Sequence, residues 1–295
     1  MMTKYPLHKN DTIKAAVTAI LLTLFATIRK NKHAVLDAGN TEYMHDYRVA
    51  IRRTRCLISQ FEAVFHKQDI SHFRDEFFWL FGETGKVRDM DVQLVNLQHY
   101  KTLLPSSVEA DLMRLNDQLW AEQKMAYAEM YEVLDSKRYE KLLSDWQRFL
   151  NTAHLIKAKF ADSGIFRLAD GRIQKKYLAI LKLGDGITLD ASDEAYHDLR
   201  KSCKNLRYLL EFFEKFYDDQ EIQALLEVLK HVQDNLGAHQ DLSVQIKFLQ
   251  QLPSSQHPIW NLLVTLLETE KQKQRTEFKR HFEEFSEYKM PSPKN

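Results

Sequence analysis

Four basic side chains in the first third of the chain are spaced at intervals of three and four residues. They are His45, Arg48, Arg52 and Arg55. On an α-helix such positions fall within a stripe about 80° wide that runs about 15 Å along the axis. Guanidinium groups bind phosphate oxygens through paired hydrogen bonds, and successive helical turns can meet successive phosphates. The spacing therefore predicts a surface that binds a linear polyanion.

The same stripe returns 152 positions later in the chain, at His197, Arg200, Lys204 and Arg207. At this offset Phe61-Glu62 is matched by Phe213-Glu214, and Gly85 by Gly237. A pattern of about forty residues that recurs without a gap indicates an internal repeat. A single run of charges usually marks a solvated face. Because this one recurs with a histidine at its head each time, we favour a binding role.

The elements that carry these stripes are predicted to be helices. The chain has 295 residues but only 8 Gly and 6 Pro, so few turns interrupt long segments with helical periodicity. Thr41 and Ser192 precede the two stripes as candidate N-caps. The sequence thus predicts an all-α fold of two helical-bundle halves, about 11–150 and 171–288, joined by a linker at about 161–170. The repeat further predicts a pseudo-twofold arrangement with a basic central cavity between the halves.

A second repeated motif follows each stripe. Gly85 is followed by Asp89, and Gly237 by Asp241, a pattern that predicts a helix stop and the N-cap of the next helix. Lys86 and Arg88 occur only in the first copy, and they are weaker candidates for ligand contact. Two further weak candidates are Arg53 and Lys201, which lie beside the stripes.

The overall charge limits the class of ligand site. With 42 basic and 41 acidic residues the formal charge is +1, so any polyanion site must come from local clustering. Cys56 and Cys203 form no C-x-x-C spacing and are predicted to be reduced, as in a cytoplasmic protein. The apolar run at 15–26 is too short to span a bilayer, so no membrane partner is expected.

These motifs resemble those of the CHAD family, the conserved-histidine α-helical domains. The residues that carry the resemblance are His45-Asp46-x-Arg48, Arg52-Arg53-x-Arg55, Arg88-Asp89-Met90-Asp91-Val92, His197-Asp198-Leu199-Arg200-Lys201, Lys204, Arg207-Tyr208 and Leu236-Gly237-x-x-x-Asp241. They occur in the family's order and extend the resemblance over about 13–285. Asn205 stands opposite Arg53, and Gln240 opposite Arg88, so the second half is expected to bind less tightly.

The resemblance implies that residues 1–295 form a single CHAD domain that binds inorganic polyphosphate. It implies a non-catalytic role, with the two stripes as the binding residues and with no cofactor or metal. A cytoplasmic location, including association with polyphosphate granules, follows as a further expectation. The sequence indicates no particular protein partner.

Two metal-dependent alternatives remain open. Glu42-x-x-His45 and Glu194-x-x-His197 have the spacing that di-iron helical bundles use. Their carboxylates are also explained by the first turn of a helix, where the dipole favours negative charge. A phosphohydrolase would use His45 or His197 together with metal-bound carboxylates at Asp89 and Asp91.

Nucleic acid is the alternative ligand, because its backbone is also a regular polyanion. Recognition of single strands commonly uses aromatic stacking platforms. Within the stripes only Tyr47 and Tyr208 are aromatic. Polyphosphate is therefore the favoured ligand.

Overall fold

The structure, a computed structural model, describes residues 5–32, 34–36, 41–152, 162–251 and 258–294. These residues form α-helices and short 3-10 turns, with no β-strand among them. The predicted all-α class is therefore confirmed. The chain divides into two compact units, Met1–Ile165 and Phe166–Asn295. The pseudo-twofold relation and the central cavity stay predictions.

Unit 1 contains six helices within its described residues. They are α1 (Ile13–Asn31), α2 (Thr41–Phe61), α3 (Lys67–Glu83), α4 (Gly85–Leu103), α5 (Glu109–Asp135) and α6 (Lys137–Thr152). The apolar run at 15–26 lies in α1, whose residues Val17, Ile20 and Leu21 are fully buried. The Thr12 hydroxyl accepts a hydrogen bond from the Ala15 amide at 3.2 Å and caps this helix. The run is thus a core helix.

Unit 2 contains four helices within its described residues. They are α7 (Ile165–Asp185), α8 (Asp193–Phe213), α9 (Asp219–Gln251) and α10 (Pro258–Glu287). Ser192 is the N-cap of α8, as predicted, because its hydroxyl accepts from the Ala195 amide at 3.2 Å. The matching prediction for Thr41 concerns a side chain that lies outside the described residues.

The linker predicted at about 161–170 is shorter than expected. Residue 161 lies outside the described residues, but α7 already begins at Ile165. Ile165, Ala169 and Ile173 are spaced by four residues and are fully buried, which places one face of α7 in a core. Burial of this face explains why the stretch is helical.

The stripes lie on equivalent helices, one in each unit. α2 and α8 each span 21 residues. Their opposite faces are apolar: Ile51 and Ile58 of α2 and Leu199 and Leu206 of α8 are fully buried. Each helix is therefore fixed by its apolar side, which determines where its basic residues point.

The glycine–aspartate motif correctly predicted a helix stop in unit 1, but the predicted N-cap is wrong in both units and the predicted stop is wrong in unit 2. α3 ends and α4 begins at Thr84, so Asp89 lies inside α4 and is not its N-cap. In unit 2 a single helix of 33 residues, α9, runs through both Gly237 and Asp241. The break in unit 1 lies at Thr84, one residue before the glycine, where Arg48 contacts the Thr84 side chain.

No helix of the described residues is long and apolar enough to cross a membrane. Cys56 and Cys203 are free and buried, as predicted. Burial raises the pKa of the Cys203 thiol to about 12, which keeps it protonated. Both thiols are thus structural residues of the helical cores.

Candidate functional site

The row of basic residues on α2, here called the α2 row, consists of His45, Arg48, Arg52 and Arg55. His45 is exposed and lines a cleft of about 380 Å³ together with Glu42, Asp46 and Arg88. Arg52 and Arg55 are half-buried farther along the helix. Arg88 on α4 thus lies at the head of the row, and its contact with a ligand stays a prediction.

Arg48 is the buried member of the row, with only 9% of its surface exposed. Its guanidinium donates hydrogen bonds to the Phe81 carbonyl at 3.0 Å and to the Thr84 hydroxyl at 2.6 Å. It also lies 4.2 Å from the centre of the Phe81 ring. The spacing predicts that all four basic residues lie on one surface, but Arg48 is buried. Arg48 and the Thr84 hydroxyl both donate to the Phe81 carbonyl at the end of α3.

Two aromatic residues of α3 lie under the arginines, and the sequence reasoning missed both. The guanidinium carbons of Arg52 and Arg55 lie 5.5 Å and 5.0 Å from the centre of the Phe81 ring. Arg55 is also 4.9 Å from the ring of Phe78, which is 65% exposed. Cation–π attraction holds the Arg55 guanidinium in place without neutralising it. The i, i+3 spacing of two phenylalanines just before the repeated glycine motif was the available signal.

The three arginines are close enough to disfavour one another's charge. Burial and, after it, the positive charge of Arg52 lower the pKa of Arg48 to about 10. Burial also lowers the pKa of Arg55, again with help from Arg52. The guanidiniums remain protonated at neutral pH. A polyanion bound at the row would relieve their repulsion.

Two carboxylates of α4 lie near the row but differ in their environment. Burial raises the pKa of Asp89, while the charges of Arg48 and Arg88 act in the opposite direction. Asp91 is 2% exposed and accepts hydrogen bonds from the Gln123 amide at 2.8 Å and the Tyr127 hydroxyl at 3.4 Å. Asp91 therefore ties α4 to α5, and the structure does not pair it with Asp89 as a metal site.

The corresponding row on α8, here called the α8 row, consists of His197, Arg200, Lys204 and Arg207. All four side chains are half-buried. His197 Nδ1 lies 2.8 Å from the side-chain oxygen of Gln240. Arg207 donates to the Glu211 carboxylate at 2.7 Å and to the Gln233 amide oxygen at 3.3 Å. One cation of this row is thus already paired with a buried anion.

Three of the weaker candidates are engaged elsewhere. Lys86 forms an ion pair with Glu129 at 2.8 Å, and Lys201 forms one with Asp198 at 2.6 Å. Arg53 reaches the Tyr5 hydroxyl at 3.5 Å. Of the weaker candidates the structure brings only Arg88 to the cleft of the α2 row.

The structure does not favour the di-iron alternative. The described residues contain one cluster of three side chains that could hold a metal, formed by His231, His281 and Glu284. Neither of the Glu-x-x-His pairs, at 42–45 and 194–197, belongs to it. Glu42 and Glu194 occupy the first turns of α2 and α8, as the helix dipole favours.

Comparison with known proteins identifies relatives of the whole chain. The family model described as CHAD domain matches residues 19–250. The crystal structure of the CHAD domain from the plant Ricinus communis is similar, with a TM-score of 0.79, 24% identity, and coverage of 99% of this chain and 98% of that one. PptA from Streptomyces chartreusis is also similar, with a TM-score of 0.70, 16% identity, and coverage of 94% and 99%. None of the curated proteins matches the chain.

Proposed function

Because the chain belongs to the CHAD domain family, a family associated with polyphosphate, we propose that it binds inorganic polyphosphate without hydrolysing it. The observation that carries the proposal is the arginine cluster of the α2 row around Phe81. Three guanidiniums lie within 5.5 Å of one ring, and two of them have pKa values lowered in part by the charge of Arg52.

The cluster has the chemistry that a phosphate chain requires. Arginine presents planar, paired donors that match phosphate oxygens, and its charge persists at any physiological pH. In unit 1 the rings of Phe78 and Phe81 hold Arg55 without a carboxylate's charge, so the guanidinium keeps its full attraction for an anion. Arg88 and His45 lie at the cleft at the head of the row, which Glu42 and Asp46 also line.

The decisive measurement is calorimetric titration of the purified chain with polyphosphate at several salt concentrations. Affinity should fall linearly on a log–log plot against salt, because each neutralised phosphate releases a counterion. Arg52→Glu combined with Lys204→Glu should abolish binding, since it reverses one charge in each row. The matched control is Arg114→Glu, an exposed arginine of α5 whose side chain is 83% exposed. Normal binding by the double variant, or an affinity indifferent to salt, would refute the proposal.

Ligand choice is tested by competition with single-stranded RNA at equal phosphate concentration. Phe78 offers an exposed ring on which a base could stack, so the comparison is a demanding one. Single-stranded RNA should displace little polyphosphate. The row supplies closely spaced guanidiniums, and a chain without bases presents phosphates at the highest density. Efficient displacement by RNA would assign the site to nucleic acid instead.

The absence of catalysis is part of the proposal and has its own assay. Incubation with polyphosphate and Mg²⁺ or Mn²⁺ should release no phosphate above the rate of the Arg52→Glu, Lys204→Glu variant. If the parent chain releases phosphate steadily and this variant does not, the protein is a polyphosphate hydrolase and the non-catalytic proposal is wrong. In cells we expect the chain in the cytoplasm, at polyphosphate granules, and a fluorescent fusion of the double variant should no longer localise there.

A further inference from the structure

A second polar site lies in unit 2, away from the α8 row. α9 and α10 pack side by side, and between them is a cleft of about 290 Å³. Its lining residues are His231, Asp234, Asn235, Gln274, Glu277 and His281. Two histidines and two carboxylates in one cleft are a set of donors that neither polyphosphate binding nor core packing explains.

The donor atoms are close enough to share one ion. One ligand atom from each of His231, His281 and Glu284 lies within 4.8 Å of the others. His231 Nδ1 is 3.9 Å from a carboxylate oxygen of Glu284. Donor atoms around a tetrahedral Zn²⁺ are about 3.3 Å apart, given bond lengths of about 2.0–2.1 Å. Small side-chain rotations of these half-exposed residues are sufficient to close the remaining gap.

A neighbouring carboxylate is placed to orient His231. Its Nε2 atom lies 3.5 Å from a carboxylate oxygen of Glu227, one turn earlier on α9. An imidazole that donates its Nε2 proton to a carboxylate exposes the Nδ1 lone pair, which here faces Glu284. This carboxylate–histidine arrangement is the usual support of a metal-bound imidazole.

The second histidine has a buried nitrogen that no hydrogen bond satisfies. His281 Nδ1 is buried and has no hydrogen-bond partner among the described residues. Its Nε2 lies 3.3 Å from the guanidinium of Arg280, which is exposed and can rotate away. A buried polar atom without a partner is costly unless a ligand satisfies it.

We propose that His231, His281 and Glu284 bind a transition-metal dication of the Zn²⁺ class between α9 and α10. Two imidazoles and one carboxylate form the ligand set of Zn²⁺ sites that keep a fourth position for water. Imidazole donors disfavour Mg²⁺ and Ca²⁺, which prefer oxygen. The ion crosslinks the two longest helices of unit 2. This site is independent of the proposed function, because none of its residues belongs to either row.

The test is titration of the untagged, metal-free chain with Co²⁺ and Zn²⁺, followed by calorimetry and by the visible absorption of bound Co²⁺. We expect one ion per chain and a melting temperature that rises by about 5 °C at a hundredfold excess of Zn²⁺ over its dissociation constant. His231→Gln and His281→Gln should each weaken binding by about 100-fold, and Glu227→Gln by about 10-fold. Arg280→Gln should tighten it, because the variant removes a repelling charge.

The matched control is His99→Gln, which removes an exposed histidine of α4 in unit 1. It should bind Zn²⁺ like the parent chain. His231 and His281 are half-exposed, so their glutamine variants should keep the parent's melting temperature without metal, and Glu284→Gln, at an exposed residue, provides a further check. Stoichiometric binding that survives both histidine substitutions, or no binding by the parent chain, would overturn the proposal.

Discussion

The repeated segments of unit 1 and unit 2 begin with the same secondary structure, but the helix that follows is broken in unit 1 and continuous in unit 2. α2 and α8 have the same length, and a 3-10 turn follows each, at Glu62–Val64 and Glu214–Phe216. Unit 1 then forms α3 and α4, whereas unit 2 forms the single helix α9. The break occurs at Thr84, whose counterpart in the repeat is Leu236. Thr84 and the Phe81 carbonyl both accept from Arg48, while Leu236 is buried and continues the helix.

The same divergence changes the electrostatics of the rows. Phe81 and Phe78, which hold the arginines of the α2 row, are replaced in the repeat by Gln233 and Lys230. Ser59 is replaced by Glu211, which neutralises Arg207. The two rows match in sequence, but Arg55 of the α2 row packs against uncharged rings, whereas Arg207 of the α8 row pairs with a carboxylate. α2 and α8 share the spacing of their basic residues, and the residues around each row decide how much charge is left for a ligand.

The largest expected effect is an unequal loss of polyphosphate affinity between the rows. Arg52→Gln with Arg55→Gln should weaken binding by about 4 kcal/mol, or about a thousandfold, since hydrogen bonds to charged groups contribute about 1.5–3 kcal/mol each. Lys204→Gln with Arg207→Gln should reduce the affinity markedly less, because the charge of Arg207 is already partly neutralised by Glu211. Calorimetric titration measures both. Equal losses would show that the local environments do not matter to the ligand.

The second difference concerns acid stability and depends on His239, whose counterpart in unit 1 is the buried Val87. Burial lowers the pKa of His239 to about 4, although Asp193 acts to raise it. The unfolded chain binds a proton at this residue below about pH 6.5 and the folded chain does not. The contribution of His239 to the free energy of unfolding is therefore fully present above pH 6.5. It falls by about 3 kcal/mol as the pH decreases towards 4.

His239→Val places the residue of unit 1 in unit 2 and should flatten the pH profile in this window. The measurement is the melting temperature between pH 7.5 and 4 for the parent and the variant. The variant loses an acceptor for Arg275, which donates to His239 at 3.2 Å, so its melting temperature at neutral pH should also fall. The informative quantity is the slope of the melting temperature against pH between pH 6.5 and 4. A slope identical to that of the parent would exclude His239 as the acid-sensitive group.

A third experiment separates folding from binding within the α2 row. Arg48→Gln should reduce the free energy of unfolding by about 2 kcal/mol, because it breaks the bonds to Phe81 and Thr84 at the α3–α4 junction. Arg52→Gln, one turn later, should weaken polyphosphate binding with little change in stability. Urea unfolding, with titration of the same samples, distinguishes the two. If Arg48→Gln leaves stability unchanged, Arg48 does not hold the junction.

Local signals in the sequence were sufficient for much of the fold. The cap at Ser192 follows from the nearby residues and agrees with the structure. The start of α7 was missed because its buried face depends on packing within unit 2. The glycine signal predicted the helix break in unit 1 to within one residue, but it failed at Gly237, because the neighbouring Leu236 is buried and continues the helix.

The site was only partly accessible from the sequence for the same physical reason. The helical spacing correctly placed each row on one helix. Spacing along one helix cannot show that Arg48 is buried, because its partners Phe81 and Thr84 are 33 and 36 residues away. The pair formed by Arg207 and Glu211 has i, i+4 spacing, so a search for such pairs would have found it.

The smallest expected effect is also the most direct test of why the rows differ. Glu211→Gln removes the anion that holds Arg207 while keeping the size of a side chain that is 5% exposed. The freed guanidinium should then bind phosphate, so affinity should increase by about 1 kcal/mol, or about fivefold. The slope of log affinity against log salt should become steeper by about one. Ser59→Glu makes the opposite change in unit 1 and should weaken binding there. If Glu211→Gln lowers the affinity, Glu211 positions Arg207 for the ligand, and the carboxylate is not what makes the α8 row the weaker one.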